Sequence, residues 1–540
     1  MSLNSKSEIH NVFKVFMSLN SKFEIRNSKF LSIPPILLLS AALSLLPGTG
    51  LASSDLRDLP LSHWSNPVLD RFNARGYLTL SETRPYRRDE VAASLSKFLN
   101  RVRSGEFILS DADLYNLKRL TQEFLPDAGF EKRRLVERDL VHYGTDKVFA
   151  GGDIAATGIT TVSRLTSPVY QGRFDLDMWG STGKSFVFDQ KFTAVIEKEN
   201  EREVRTAPNV MSWRGGKLLT DWSYFRFKMP WFTATLGRSQ KWWGPGRFGT
   251  LLLSDNAPAF DALDLAFSFK RVGFHAFAGI LSTEQERYLS GHRLTIAAPG
   301  RVDLGFSEVV VYQAPNMLPA YVNPLLPYYA VQWNERGDDN ILWAMDAAWR
   351  PGYGMKWYAE LLMDDVIYEQ GRTPAPQKLG FLAGLAWADP VRLRDTDLKM
   401  EYAGNLKWVY THRRYDNRYV GSDTASVLGH WLGPDAEALS VTLEHRFHPR
   451  LNLGCGYELV NHGEGAVGMA HDPLRDGTRT EFLSGVVERQ SLGTVLIDWS
   501  PFYWMTMNLK GRFGKAGNVG HISGVEQDIS SGSLSLKLDW

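Results

Sequence analysis

One stretch in the middle of the chain combines side chains that could bind a carbohydrate polymer. Two adjacent tryptophans offer flat, amphipathic faces for stacking on sugars at a low cost in conformational entropy. Basic side chains on both sides of them could donate hydrogen bonds to carboxylated sugars. The candidate polysaccharide-binding residues are Arg238, Lys241, Trp242, Trp243, Arg247 and Asn256.

The same stretch also has a structural interpretation. Gly244 and Gly246 flank Pro245 and would let the backbone fold tightly against a wall. Three consecutive leucines, residues 251–253, favour burial. The alternative is therefore that this segment packs inside the protein as a plug and contacts no sugar.

No catalytic arrangement stands out. The sequence contains no Ser-His-Asp order, zinc-type histidine pair or phosphate-binding glycine loop, and Asp364 and Asp365 would point to opposite faces of a strand. The acidic cluster at residues 334–340 lacks the ligand spacing of an EF-hand, which favours solvated loop charge over a calcium site. We predict no enzymatic activity, no cofactor and no metal.

Composition narrows the class of protein. The chain has 540 residues, a formal net charge of +1 and 44% hydrophobic residues, which indicates a folded protein. Phosphate binding needs clustered basic residues, and their absence argues against a nucleic-acid partner. The single cysteine, Cys455, excludes an internal disulfide. It lies in phase with neighbouring apolar residues of a predicted strand.

The amino terminus resembles an export signal. Lys22, Arg26 and Lys29 precede an apolar run from Ile36 to Leu46, and small residues follow it up to Ala52. The run is too short to be kept as a membrane span. We predict a signal peptide at residues 1–52. Because the first six residues recur at Met17, the start codon is either Met1 or Met17.

Residues 53–144 are predicted to form a small helical domain on the periplasmic side. After Asp89 and Glu90, the apolar residues follow the spacing of one helix face. Ser110 is a predicted N-cap for a second helix, with Asp113 in its first turn.

Part of this domain, Leu61 to Leu99, resembles an S-layer homology repeat. The likeness is carried by His63, Trp64, Leu69, Gly76, Pro85, Tyr86, Arg88 and Glu90. The resemblance implies peptidoglycan binding, with Trp64, Arg88 and Glu90 as candidate residues. The usual Thr-Arg-Ala-Glu motif reads Arg-Arg-Asp-Glu at residues 87–90, and one copy is visible. A helical plug or periplasmic cap without cell-wall binding is the alternative.

From about residue 145 to 540, apolar and polar residues alternate with a period of two, as in strands with one lipid-facing side. Met355, Trp357, Ala359 and Leu361 alternate with Lys356 and Glu360. The last ten residues, Ser531 to Trp540, repeat the pattern and end on an aromatic, which predicts a strand that closes a barrel by pairing with the first.

Connections between these strands fall into two kinds. Short proline-containing links, such as Ala298-Pro299-Gly300 and Asp389-Pro390-Val391, alternate with long irregular segments such as residues 241–261 and 312–340. Short turns on one side and long loops outside the cell are typical of outer-membrane barrels. We therefore predict an all-β transmembrane barrel of about 18 antiparallel strands, with 16 as the near alternative, in the bacterial outer membrane.

The loop that carries the two tryptophans resembles the capsule assembly Wzi family. The likeness lies in Trp-Trp-Gly-Pro-Gly at residues 242–246 and Leu-Ser-Asp-Asn-Ala at residues 253–257. The resemblance implies a non-enzymatic lectin that binds capsular or extracellular polysaccharide. A porin-like diffusion channel is the alternative. The other expected partners are outer-membrane lipid and, through the helical domain, peptidoglycan.

Overall fold

The computed structural model describes residues 55–540 apart from 129–132, 137–138, 146–147, 166, 183–184, 199–211, 214–215, 336, 366–375 and 423–425. The predicted signal peptide lies outside the described residues.

The amino-terminal part of the described chain forms three helices: α1 (Asn66–Ala74), α2 (Arg88–Arg103) and α3 (Asp111–Phe124). Helix α2 buries Val91, Leu95, Phe98 and Leu99, which are the residues that the helical spacing predicts. The Ser110 hydroxyl accepts a hydrogen bond from the Asp113 N–H (3.1 Å), which confirms the predicted N-cap. Among the described residues, no helix is long and apolar enough to cross a bilayer.

Eighteen long antiparallel strands follow. They are β1 (Val148–Ser163), β2 (Val169–Thr182), β3 (Phe186–Lys198), β4 (Gly216–Lys228), β5 (Phe232–Ser239), β6 (Phe260–Phe269), β7 (Val272–Ser282), β8 (Arg287–Ala298), β9 (Val302–Gln313), β10 (Asn340–Gly352), β11 (Met355–Asp365), β12 (Lys378–Ala388), β13 (Thr396–Asn405), β14 (Ala436–His448), β15 (Leu451–His462), β16 (Glu488–Phe502), β17 (Met505–Gly517) and β18 (Glu526–Asp539). Short strands Val141–Gly144 and Ser212–Trp213 form hairpins with β1 and β4.

Strand β18 closes the sheet. It pairs with β1 from Ser531 opposite Ser163 to Asp539 opposite Ala155. The closed barrel leaves no unpaired sheet edge, which is what a hydrocarbon environment requires. The predicted closing strand and the predicted number of strands are both confirmed.

Alternation sorts the strand side chains into two faces. On β11, Trp357 is 47% exposed outside the barrel, whereas its neighbour Lys356 is fully buried inside. On β4, Phe225 points outward and Arg226 is buried inside. Cys455 is a free, exposed cysteine, in phase with the exposed Tyr457 and Leu459 on β15. The outer surface is therefore largely apolar, and most charged side chains of the strands face the interior.

Connection length distinguishes the two ends of the barrel. One end, called the turn end here, carries tight turns such as residues 270–271, 299–301 and 449–450. The opposite loop end carries long segments such as residues 240–259, 406–435 and 463–487. The segment between β9 and β10 contains α4 (Pro319–Val322) and α5 (Tyr328–Glu335).

Candidate functional site: two segments inside the barrel

The loop between β5 and β6, residues 240–259, folds into the barrel and is called the inner loop. Trp242 and Trp243 are 7% and 6% exposed, and Leu251 to Leu253 are buried. Trp243 and the three leucines belong to one hydrophobic cluster with inward residues of the strands, and Trp243 meets Phe277 edge to face, with ring centroids 5.3 Å apart. The three leucines thus obtain the burial that their sequence favours.

Two carboxylates on the barrel wall hold the backbone of the inner loop. Glu360 accepts hydrogen bonds from the N–H groups of Gly246 (2.9 Å) and Leu251 (2.8 Å). Glu401 accepts from the N–H groups of Arg247 (2.6 Å) and Phe248 (3.2 Å). Each carboxyl group supplies acceptors for two backbone N–H groups, which would be costly to leave without a partner away from water.

These contacts explain the glycines of the Trp-Trp-Gly-Pro-Gly motif. A Cβ atom on Gly244 would lie 2.4 Å from the Glu360 carboxylate, and Gly244 has a φ of +137°. A Cβ atom on Gly246 would lie 1.9 Å from the carbonyl oxygen of Gly249. Both positions require glycine because the loop backbone approaches the wall and itself too closely for a side chain.

The helical domain meets the inner loop inside the barrel. Its short strand Thr83–Arg84 pairs antiparallel with Trp242–Trp243, so the two segments form a two-stranded sheet. Next to this sheet, the Gly244 N–H donates to the Glu82 carbonyl (3.0 Å). The paired tryptophans therefore connect the domain to the loop through their backbone.

Glu82 fixes the helical domain to the wall. Its carboxylate is paired with Arg350 and Lys356, and the Lys356 side chain is fully buried. Burial alone would raise the pKa of Glu82, but the charges of Lys356 and Arg350 lower it to about 2. Glu82 is therefore ionised at neutral pH and compensates a buried ammonium group.

A second ion cluster lies where α1 meets the turn end. The buried Arg71 guanidinium contacts Asp113 at 2.8 Å, Asp389 at 2.7 Å and Asp397 at 2.6 Å. Asp113 belongs to α3, whereas the other two carboxylates belong to the barrel. One arginine thus joins two helices to the turn between β12 and β13.

The predicted polysaccharide-binding residues do not share one surface. Lys241 is buried and donates to Asp264 (2.7 Å), and the Trp242 indole donates to the Gly244 carbonyl (3.2 Å). The Arg247 side chain is 4% exposed. Arg238 is partly exposed and paired with Asp261, and Asn256 donates to the Val427 carbonyl (2.9 Å). Their role in sugar binding stays a prediction.

The predicted peptidoglycan-binding residues have partners within the helical domain. The Arg119 guanidinium lies 3.8 Å from the centre of the Trp64 ring. Arg88 contacts Asp55 (2.7 Å) and Glu123, and Glu90 is exposed beside Arg87 (2.8 Å). Peptidoglycan binding likewise stays a prediction.

The acidic cluster before β10 differs from the solvated charge that we predicted. Asp338 forms ion pairs with Arg413 (2.6 Å) and Arg414 (2.9 Å), and the Tyr321 hydroxyl donates a hydrogen bond to Asp339 (2.7 Å). Partners supplied by another loop are not visible in local sequence. Within the described ranges, no group of histidine, cysteine and acidic residues could hold a metal ion.

Sequence reasoning missed an exposed aromatic and basic set on the loop between β13 and β14. Tyr415 is 62% exposed with the Arg418 guanidinium 3.4 Å from its ring centre, and Trp431 is 39% exposed. Arg413 and Arg414 lie beside Tyr415 in the chain and have largely exposed side chains. The His-Arg-Arg-Tyr run at residues 412–415 was the signal that could have found it.

A closed barrel of 18 antiparallel strands with an apolar outer face and a charged interior is an outer-membrane β-barrel protein. The family model described as capsule assembly protein Wzi matches residues 171–524, and the chain belongs to that family.

The overall fold is similar to that of one solved Wzi structure. Wzi of Escherichia coli, described as an outer-membrane protein involved in group 1 capsule assembly and a carbohydrate-binding β-barrel, is 14% identical, with a TM-score of 0.59. The match covers 90% of this chain and 99% of that one. Pseudomonas aeruginosa OprD is 8% identical, with 72% and 95% coverage and a TM-score of 0.43. No curated protein matches the sequence.

Proposed function

We propose that this protein is a lectin of the outer membrane that holds capsular or extracellular polysaccharide at the cell surface. Membership of the Wzi family supports the proposal. The observation that carries it is the inner loop, which Glu360 and Glu401 hold across the barrel interior and which pairs with the helical domain. A lumen occupied from both ends suits a scaffold for surface loops better than a diffusion channel.

The polysaccharide would bind at the loop end, which faces outside the cell in such barrels. Tyr415 and Trp431 offer exposed rings for stacking on sugars, and Arg413 and Arg414 offer donors for acidic sugars. Of the residues predicted from sequence, Arg238 and Asn256 are accessible enough to join them. The loop end thus combines the two kinds of contact that a carbohydrate polymer needs.

Binding of labelled surface polysaccharide from the source cells to the purified, folded protein tests the proposal. Tyr415→Ala and Trp431→Ala should each weaken binding without changing the yield of folded barrel. Tyr353→Ala is a matched control, because Tyr353 is 90% exposed on a tight turn at the opposite end. Equal binding by all four proteins would contradict the proposed surface, and absence of any binding would contradict the lectin function.

The alternative function is a diffusion channel, and conductance measurements separate the two. In planar bilayers, we expect no steady large conductance, because the inner loop and the helical domain occupy the interior. A stable, porin-like conductance in the unmodified protein would favour the channel. The lectin proposal needs no chemical step, and we propose no enzymatic activity.

A second partner is proposed for the helical domain. Its resemblance to an S-layer homology repeat suggests peptidoglycan, and Glu90 is the candidate whose side chain is most exposed. Full-length protein should co-sediment with purified cell-wall sacculi, and Glu90→Ala should reduce the bound fraction. Glu106→Ala, another exposed glutamate of the domain, is the control. Equal sedimentation of both variants would remove Glu90 from the proposed site.

A further inference from the structure

The segment between β9 and β10, residues 314–339, covers part of the outside of the barrel and is called the outer loop. On β9, Val309 and Val311 face inward and belong to the cluster that contains the inner loop. The alternate residues Val310 and Tyr312 belong to a separate cluster with Tyr321, Tyr328 and Val331 of the outer loop. Because successive strand residues point to opposite faces, α4 and α5 lie against the outer wall.

A buried carboxylate anchors the outer loop to this wall. Glu308 points outward but is 3% exposed, since α5 begins directly over it. It accepts hydrogen bonds from the N–H groups of Tyr328 (2.8 Å) and Tyr329 (3.0 Å) and from the Trp343 indole (2.8 Å), and it lies 3.0 Å from the His292 ring. The carboxylate is thereby fully supplied with donors, which is what burial away from water requires.

The anchor lies within the height of the lipid-facing band. Val302 begins β9 opposite Trp349, which is 49% exposed and suits the interfacial girdle at the turn end. Glu308 is six residues further along the strand. At about 3.3 Å per residue and a tilt of about 40°, that places Glu308 roughly 15 Å above the girdle, inside an apolar band of about 25 Å.

The covering surface is apolar. No Asp, Glu, Lys, Arg or His occurs from Val309 to Asn334, a stretch of 26 residues in a chain that is 22% charged. Large apolar side chains of the loop remain exposed, Leu325 at 80% and Trp333 at 66%. A loop bathed in water has no physical reason to combine these properties.

This surface continues the lipid-facing band of the same strands. On the part of the wall nearer the turn end, Leu304, Phe306 and Met345 point outward and are exposed. The outer loop begins where that exposed apolar surface ends. Both surfaces are apolar and adjacent, and the anchor between them lies within the height of the hydrocarbon layer.

We infer that the outer loop is embedded in the outer leaflet of the membrane, where Leu325, Leu326 and Trp333 contact lipid acyl chains. At β8–β10, the outer loop covers the part of the wall nearer the loop end, so helices face the lipid there instead of strands. Glu308 accepts hydrogen bonds from the buried N–H groups at the start of α5. The membrane around this protein thus meets an extracellular loop as well as strands.

Spin labels in the full-length protein reconstituted in lipid bilayers test this placement. In a Cys455→Ser background, a label is attached at Leu325→Cys, with Trp333→Cys as an independent second probe. Leu304→Cys reports the lipid-facing wall, and Leu474→Cys reports water, since Leu474 is 98% exposed on the loop between β15 and β16. Heat-modifiable gel migration confirms that each variant has folded.

We expect residues 325 and 333 to be accessible to oxygen and protected from a water-soluble nickel chelate, as residue 304 is. Nickel accessibility like that of residue 474 would overturn the inference. Protection from both reagents, with spin–spin broadening that disappears on dilution with unlabelled protein, would overturn it in favour of contact with a second copy of this chain.

Discussion

Replacing Glu82 by Gln should release the helical domain from the barrel wall. The change removes the negative charge beside Lys356, whose side chain is fully buried. Arg350 keeps a second partner in Asp303 at 2.6 Å, so the uncompensated charge is that of Lys356. A buried amine that loses its carboxylate either keeps an uncompensated charge or gives up its proton, and in both cases the stabilising ion pair is lost.

The expected size follows from this burial. Removing one partner of a buried ion pair costs at most about 3–5 kcal/mol, and less where the remaining amine gives up its proton, so the undocked population should rise by up to about three and a half orders of magnitude. The double variant Glu82→Gln/Lys356→Met should recover most of that loss, because it removes the orphaned charge as well. Glu106→Gln in the same domain should leave docking almost unchanged, since Glu106 and Arg101 form a solvent-exposed pair.

Hydrogen exchange of α2 in the full-length protein measures this docking without requiring the barrel to unfold. Exchange should accelerate in Glu82→Gln and return towards the original rate in the double variant. Unchanged exchange in Glu82→Gln would refute the anchoring role of Glu82. A double variant that exchanges as fast as the single variant would show that lost packing, not the orphaned Lys356 charge, causes the effect.

Three further predictions concern the interior of the barrel. Gly246→Ala should destabilise the inner loop by about 1–3 kcal/mol or more, because the added methyl group would clash with the Gly249 carbonyl. Protease cleavage of the loop should increase. Gly511→Ala is the control, because the space around Gly511 is open. Trp242→Ala should lower polysaccharide binding only in proportion to folded yield, because Trp242 is 7% exposed; a loss of binding per folded molecule would assign Trp242 to the sugar site instead. Acid should unfold the helical domain, as followed by circular dichroism. Burial lowers the pKa of His63 to about 3 despite the nearby Glu123, so the stability that neutral His63 contributes above pH 6.5 is lost as the pH falls towards 3. The stability that ionised Glu82 contributes is lost as the pH falls from 4.5 towards 2. Helix content that stays constant down to pH 2 would contradict both assignments.

The sequence predicts the barrel well because lipid and lumen impose opposite demands on alternate residues. Lys356 and Glu360 can only face the interior, and this fixes the direction of every other side chain on β11. Proline and glycine mark the tight turns for a similarly local reason. Strand faces, turns and the Ser110 cap were therefore available from neighbouring residues alone.

Partners distant in the chain could not be obtained in that way. Alternation places Glu360 inside the barrel, but it does not reveal that the acceptor serves the backbone of Gly246, 114 positions away. The same holds for Glu82 and its partners on β10 and β11. Because backbone N–H groups occur in every loop, the sequence identifies the acceptor side chain but not the residue whose N–H donates to it.

The inner and outer loops are attached by the same device on opposite sides of one wall. Glu360 and Glu401 accept backbone N–H groups inside the barrel, and Glu308 accepts the first N–H groups of α5 outside it. An acidic residue on the inward face is not distinctive in the sequence, because charged side chains are expected there. Glu308 breaks an otherwise apolar outward series of Leu304, Phe306 and Val310, and a lone carboxylate facing lipid is too costly to leave uncovered. Such an exception within an alternating strand therefore indicates a covering segment, and here it identifies both the strand and the height at which that segment docks.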